Sequence, residues 1–147
     1  MAALQGRDSF VLMATGSGKS LCYQLPSLIS GKMTIVVSPL ISLMEDQVLS
    51  LQQLNIRACA LFGNVEDAIY QDVAQGKYTH VYLTPEKLTN WMPSLNTLHE
   101  TVGIGLFAID EAHCVSEWGH DFRKDYRLLN VLRQQIPDVP IMALVSC

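Results

Sequence analysis

Short apolar runs alternate with amphipathic stretches along the whole chain. Six of these runs are nearly continuous in apolar residues and predict β-strands covered on both faces: residues 9–13, 34–38, 57–61, 80–83, 104–110 and 141–144. Helical periodicity predicts helices at residues 19–30, 42–54, 65–75 and 122–135. This alternation predicts one α/β domain, a parallel sheet with helices on both faces. Ligands of such sheets bind beyond the carboxyl ends of the strands.

Local signals refine the ends of these elements. Gly76 follows the third helical pattern and is a typical helix stop. Ser42 stands where its hydroxyl can cap the second helix. Trp91 and Met92 come directly before Pro93, and we expect these two side chains to anchor a loop onto the core.

Composition and charge narrow the functional classes. The chain has 147 residues, 49% of them hydrophobic and 16% charged, as in a folded domain. Its net charge of −4 provides no global basic field, which counts modestly against a self-sufficient nucleic-acid binder. Four cysteines without a Cys-x-x-Cys pair argue against structural zinc. His80 and His99 lack ligand-like partners and are expected to be packing or surface residues. No secretory signal and no membrane-spanning run is visible.

The first strand runs into a glycine-containing loop and then a helix, the arrangement of a phosphate-binding loop. Glycines let backbone N–H groups curl around phosphates, and a helix start favours anions. Lys19 would neutralise β- and γ-phosphate oxygens, while the Ser20 hydroxyl would ligate Mg²⁺. Met13 stands where the strict pattern has glycine, and the alternative is a glycine turn with a solvated lysine. The predicted nucleotide-binding residues are Thr15, Gly16, Ser17, Gly18, Lys19 and Ser20.

An acidic pair follows the apolar run at residues 104–109. A carboxylate there can hold Mg²⁺, and its neighbour can orient or deprotonate water. We assign Asp110 to the metal, Glu111 to the attacking water, and His113 to sensing the γ-phosphate. The alternative is a solvated strand end or a helix cap.

Four segments resemble the RecQ family of superfamily-2 DEAH-box DNA helicases. Residues 13–26 are similar to its motif I, residues 38–48 to motif Ia, residues 84–87 to its Thr-Pro-Glu motif, and residues 114–123 to its aromatic-rich loop. Residues 38–48 favour the Werner-like and plant branch. The resemblance runs from about residue 4 to residue 144.

The resemblance implies the first RecA-like P-loop NTPase domain of an ATP-dependent 3'-5' DNA helicase. Such a domain binds ATP and Mg²⁺, contacts single-stranded DNA, and acts in the nucleus in DNA repair and recombination. Trp118 and Phe122 would offer π-faces to bases and Arg123 would pair with phosphate, although both aromatics could instead anchor the following helix. Strand-end groups of Ser38, Pro39 and Thr84 would contact DNA phosphates, although helix capping explains them as well.

The resemblance also implies parts beyond residues 1–147. These are the segment upstream of motif I, the end of motif III after Leu144, and a second RecA-like domain with its arginine finger. We therefore expect very slow hydrolysis and no unwinding by this chain alone. Two hypotheses stay open: the ATP-binding half of a helicase motor, and a truncated, catalytically inactive nucleotide- or partner-binding module.

Overall fold

Six strands and four helices make up the described part of the chain. The computed structural model describes residues 8–13, 20–110 and 131–146. The strands are β1 Ser9–Met13, β2 Met33–Val37, β3 Ala58–Leu61, β4 His80–Leu83, β5 Ile104–Ile109 and β6 Ile141–Ser146. The helices are α1 Leu21–Ser30, α2 Ile41–Gln53, α3 Asp67–Ala74 and α4 Pro85–Thr101. Residues 131–135 are also helical. None of the described helices is both long and apolar enough to cross a membrane.

All strand pairs are parallel, and the strand order is β1-β6-β5-β2-β4-β3. This confirms the predicted parallel sheet, with strand bounds that differ from the predicted ones by one or two residues at most. β1 is an edge strand of the sheet. Two strands, β6 and β5, lie between β1 and β2. The crossover helix α1 must therefore pass over β6 and β5, and it contacts both β5 and β2.

Side chains alternate between two core layers, one on each face of the sheet. Ile35 of β2 belongs to one layer and its neighbour Val36 to the other, as a strand covered on both faces requires. α1 and α2 cover the layer that contains Val36. α3, α4 and residues 132–139 cover the layer that contains Ile35. Helices therefore lie on both faces, as predicted.

Helix α4 corrects the expectation of a loop at Trp91 and Met92. Both residues lie inside this 17-residue helix, and so does Pro93. An interior proline costs about 3 kcal/mol. The ring of Pro93 faces solvent, while one apolar face of the helix is buried and offsets that cost. The buried residues of this face are Leu88, Met92, Leu95 and Leu98.

The helix ends show one predicted signal that is confirmed and one that is wrong. Gly76 follows α3 with φ +76°, and its N–H donates to the carbonyl of Val73 at 3.0 Å, so it stops the helix as predicted. Ser42 does not cap α2. The cap position is Leu40, whose N–H donates to the hydroxyl oxygen of Ser38 at 3.2 Å.

We expect Leu95→Ala to lower the free energy of unfolding by about 2–5 kcal/mol, because the Leu95 side chain is fully buried under α4. Leu49→Ala is the matched control, since Leu49 lies on helix α2 and is 56% exposed; its effect should stay within about 0.5 kcal/mol. Urea unfolding followed by circular dichroism measures both. Equal losses for the two variants would contradict the packing of α4 described above.

Candidate functional site

The carboxylate of Asp110 is buried at the side of the sheet where its parallel strands have their carboxyl ends, which is called the carboxyl edge below. Asp110 follows β5 directly and is only 2% exposed. Its backbone N–H donates to the carbonyl of Val37, the last residue of β2, at 2.8 Å. This bond fixes the backbone of Asp110 between the ends of two central strands. The side chain therefore lies in the region where an α/β sheet binds its ligand.

The first turn of α1 lies at the same edge. The Tyr23 hydroxyl contacts Oδ2 of Asp110 at 3.3 Å. Ser20 precedes Tyr23 by one helical turn, and its carbonyl accepts the N–H of Gln24 at 3.0 Å. The contact between Tyr23 and Asp110 therefore brings Ser20 and Asp110, the two predicted magnesium ligands, to the same edge of the sheet.

A hydrogen-bonded network surrounds this contact, and the sequence patterns did not reveal it. The Tyr23 hydroxyl donates to Oε1 of Gln47 on α2 at 2.5 Å. Nε2 of Gln24 donates to the Tyr82 hydroxyl on β4 at 3.1 Å, and the rings of Tyr82 and Tyr23 meet edge to face at 6.4 Å. The sequence offered one signal of this network, a tyrosine one helical turn after the phosphate loop. That signal does not identify the residues that the tyrosine contacts.

Burial keeps both tyrosines of this network protonated. Loss of hydration raises the pKa of Tyr23 strongly, and the nearby Tyr82 and Asp110 raise it further. Burial also raises the pKa of Tyr82 to about 12. Each hydroxyl therefore keeps its proton across the physiological pH range and can act as a hydrogen-bond donor throughout.

The predicted DNA-contact residues that the structure describes also lie at this edge. Ser38 follows β2, is 1% exposed, and donates its N–H to the carbonyl of Leu83 at 3.0 Å. Thr84 follows β4, and its hydroxyl accepts the N–H of Lys87 at 3.3 Å, which confirms the capping role. Pro39 is half-buried. The Ser38 hydroxyl accepts the N–H of Leu40, so local bonds explain both polar side chains without a ligand, and DNA contact at the three positions stays a prediction.

The remaining predicted site residues lie outside the described part of the chain, and their roles stay predictions. They are Thr15, Gly16, Ser17, Gly18 and Lys19 of the phosphate loop, and Glu111, His113, Trp118, Phe122 and Arg123 after β5.

The two predicted magnesium ligands that the structure describes, Ser20 and Asp110, have the chemistry that magnesium prefers. Mg²⁺ prefers oxygen ligands, usually one or two carboxylates together with phosphate and water. The carboxylate of Asp110 and the hydroxyl of Ser20 are oxygen donors brought to one edge by α1 and β5. A buried carboxylate near a helix start is compatible with a metal that also binds a phosphate.

Known proteins with this sequence pattern are helicases. A family profile described as DEAD/DEAH box helicase matches residues 1–146. The chain belongs to the DEAD/DEAH box helicase family. The bifunctional 3'-5' exonuclease/ATP-dependent helicase WRN of Mus musculus is 52% identical over 138 residues, which are 94% of this chain and 10% of that relative. The RecQ-like DNA helicase BLM of Xenopus laevis is 50% identical over 154 residues, 99% of this chain and 11% of that protein.

These relatives confirm the predicted resemblance of this DEAD/DEAH box domain to RecQ-type helicases. The chain spans about a tenth of the length of both. A solved structure, the DUF1998 helicase MrfA, matches with a TM-score of 0.74 at 24% identity, over 98% of this chain and 26% of its own. That structural likeness confirms the RecA-like helicase fold.

His80 ties the sheet to α1 at the base of the network. Its ring is fully buried, Nε2 donates to the carbonyl of Gln24 at 2.8 Å, and Nδ1 lies 2.9 Å from Oγ1 of Thr79. Burial lowers the pKa of His80, and the bond to Gln24 opposes that shift only in part. The folded protein therefore prefers the neutral imidazole.

We expect acid to destabilise the domain through His80. The unfolded chain binds a proton at this imidazole as the pH falls through about 6.5, whereas the folded state binds it only at lower pH. The stability contributed by His80 is thus fully present above pH 6.5 and is lost below it, by no more than about 1.4 kcal/mol at pH 5.5. Urea unfolding of wild type and His80→Gln at pH 7.5 and 5.5 tests this. Equal pH dependence in the two proteins would exclude the effect.

Proposed function

We propose that this chain is the ATP-binding motor domain of a RecQ-type ATP-dependent DNA helicase. The observation that carries the proposal is the buried carboxylate of Asp110, held at the end of β5 and contacted from the first turn of α1. This arrangement places an acidic group next to the helix that follows the phosphate-loop sequence. Family membership and the RecQ-type relatives support the same function.

Residues of the phosphate loop bind the nucleotide in this proposal. Backbone N–H groups from Thr15 to Gly18 donate hydrogen bonds to the phosphate oxygens, and Lys19 neutralises charge on the β- and γ-phosphates. The start of α1 adds the positive end of a helix dipole. Binding therefore depends on charge and on backbone donors at one point of the sheet edge.

The groups after β5 serve the hydrolysis step. Asp110 and the Ser20 hydroxyl hold Mg²⁺, which when bound neutralises phosphate charge. Glu111 orients the attacking water and accepts its proton, while His113 senses the γ-phosphate. Asp110 suits its role because its backbone is fixed by the bond to Val37, so the carboxylate starts from a defined position.

Single-stranded DNA is the proposed nucleic-acid partner. Trp118 and Phe122 stack on bases and Arg123 pairs with phosphate, while Ser38, Pro39 and Thr84 contact the backbone of the strand. The last three belong to strand ends at the same edge as Asp110. A DNA strand along that edge would lie beside the nucleotide, as coupling of hydrolysis to translocation requires.

In our proposal this domain is part of a longer protein, and only that longer protein unwinds DNA. The relatives are four to ten times longer than the matched segment, as coverage of 10–25% shows. A second RecA-like domain would supply the arginine finger that accelerates phosphoryl transfer. The resemblance to RecQ-type helicases also supports a nuclear location in this proposal.

We expect this chain to bind Mg·ATP with micromolar or weaker affinity, and Lys19→Ala to weaken binding at least about tenfold, because the lysine neutralises phosphate charge. Lys77→Ala is the matched control. The Lys77 ammonium lies on the surface 3.1 Å from Oδ1 of Asp72, and its loss should leave nucleotide binding unchanged. Titration calorimetry measures the affinities, and thermal unfolding verifies that each variant is folded. No binding by folded wild type, or equal effects of the two substitutions, would refute the nucleotide site.

We expect Trp118→Ala to weaken binding of a fluorescently labelled single-stranded DNA by about 5- to 100-fold, the usual contribution of one stacked base. Trp118→Phe retains an aromatic face and should keep most of the affinity. Fluorescence anisotropy at low salt, with an RNA of the same sequence alongside, gives the affinities. Unchanged binding in Trp118→Ala would assign this side chain to packing, and tighter binding of the RNA would contradict a DNA substrate.

A further inference from the structure

We propose that Tyr23 is a positioning residue that orients the carboxylate of Asp110 for Mg²⁺, and that Gln47 on α2 acts on Asp110 through the same hydroxyl. The inference rests on the proposed nucleotide site. It adds two residues, one from each of the two described helices on this face of the sheet, to the groups that determine how the metal ligand is held.

Three elements meet at the Tyr23 hydroxyl. α1 contributes Tyr23, α2 contributes Gln47, and the end of β5 contributes Asp110. The hydroxyl oxygen lies 2.5 Å from Oε1 of Gln47 and 3.3 Å from Oδ2 of Asp110. Tyr23 and Asp110 are almost completely buried, so water does not compete freely for these bonds. A hydrogen bond in such surroundings restricts a carboxylate more strongly than one at the surface.

A phenol carries a single proton, so Tyr23 cannot donate fully to both acceptors at once. The shorter distance makes Gln47 the stronger acceptor in this structure, with Asp110 as the second. A tyrosine hydroxyl carries its proton at neutral pH, because an ordinary phenol loses it only at about pH 10. Gln47 therefore competes with Asp110 for the proton of the Tyr23 hydroxyl, and in this proposal a substitution of Gln47 acts on Asp110 through Tyr23.

The ring of Tyr23 has no room to turn away from this position. It is fully buried and meets the ring of Tyr82 edge to face at 6.4 Å and 69°. Tyr82 is itself held by a hydrogen bond that its hydroxyl accepts from Gln24. The Tyr23 hydroxyl is thus held in place by packing, which is what separates a positioning group from an incidental contact.

The experiment compares nucleotide affinity in Mg²⁺ with affinity in EDTA, by calorimetry, for wild type and Tyr23→Phe. The ratio of the two affinities measures the contribution of the metal. We expect Tyr23→Phe to reduce this ratio by about three- to tenfold, because it removes a hydrogen bond to a charged ligand. Affinity in EDTA and the thermal midpoint should change little, whereas a merely structural role would lower both.

Tyr78→Phe is the matched control. Tyr78 is half-buried and lies before β4, at the side of the sheet where the strands begin and therefore away from Asp110. The ratio should be unchanged in this variant. Gln47→Leu should shift the ratio by about twofold or more in the wild-type background and leave it unchanged when combined with Tyr23→Phe. Equal shifts in both backgrounds, or none in either, would overturn the role of Gln47.

The possible failures are distinguishable. If wild type binds nucleotide more tightly with Mg²⁺ and Tyr23→Phe keeps the full ratio, the positioning role of Tyr23 is wrong while the nucleotide site stands. If wild type binds nucleotide equally in Mg²⁺ and EDTA, Asp110 holds no metal and the inference fails. If folded wild type binds no nucleotide, the proposed function fails together with the inference.

Discussion

The parallel alignment of the strands is the constraint on which the rest of the structure depends. In a parallel sheet, every carboxyl end points to the same edge, so residues far apart in the chain meet there. Ser38, Thr84 and Asp110 follow β2, β4 and β5, and these strands are neighbours. The hydrogen bonds from Ser38 to Leu83 and from Asp110 to Val37 continue the ladders past the strand ends. The edge is therefore an ordered row of strand termini, and a ligand bound there meets groups from several motifs at once.

A second constraint is the position of β1 at the edge of the sheet, because it forces α1 across β6 and β5 to reach β2. The buried face of α1 consequently lies over strand ends that carry polar groups. Those groups are paired, since a buried polar atom without a partner costs about 1–3 kcal/mol. Ser27 shares a hydrogen bond with Thr34 of β2, the Gln24 carbonyl accepts from His80 of β4, and Tyr23 contacts Asp110. One helix thus forms specific bonds with three strand segments.

The strand order and the burial of both sheet faces explain which parts of this domain the sequence predicted and which it did not. Apolar runs predicted all six strands because these strands are covered on both faces, and their side chains are apolar on both. The acidic residue at the end of β5 was predicted because a strand end is a local feature. The network of Tyr23, Gln24, Gln47 and Tyr82 was not predicted, since it joins residues up to 58 positions apart through a crossover whose path depends on strand order.

Helix α1 reverses the usual amphipathic pattern, with Leu21, Leu25, Leu28 and Ile29 exposed and Tyr23 and Ser27 buried. Helix α4 was not predicted, because Trp91 and Met92 before Pro93 were expected to anchor a loop, whereas the ring of Pro93 faces solvent and the helix continues through it.

The bonds of α1 also explain why a phosphate site at its first turn would need little rearrangement. A helix start binds anions through free N–H groups and its dipole, but only if the helix is held in place when the ligand arrives. α1 begins at Leu21, two residues before Tyr23, and its inner face is bonded to Thr34, His80 and Asp110 from three neighbouring strand segments. Its orientation is thus determined by the sheet. Because Asp110 contacts the same helix, the packing defines where its carboxylate lies relative to the start of α1, as the proposed metal and phosphate sites would require. The polar inner face of α1, unusual for a helix that packs on a sheet, follows from this requirement.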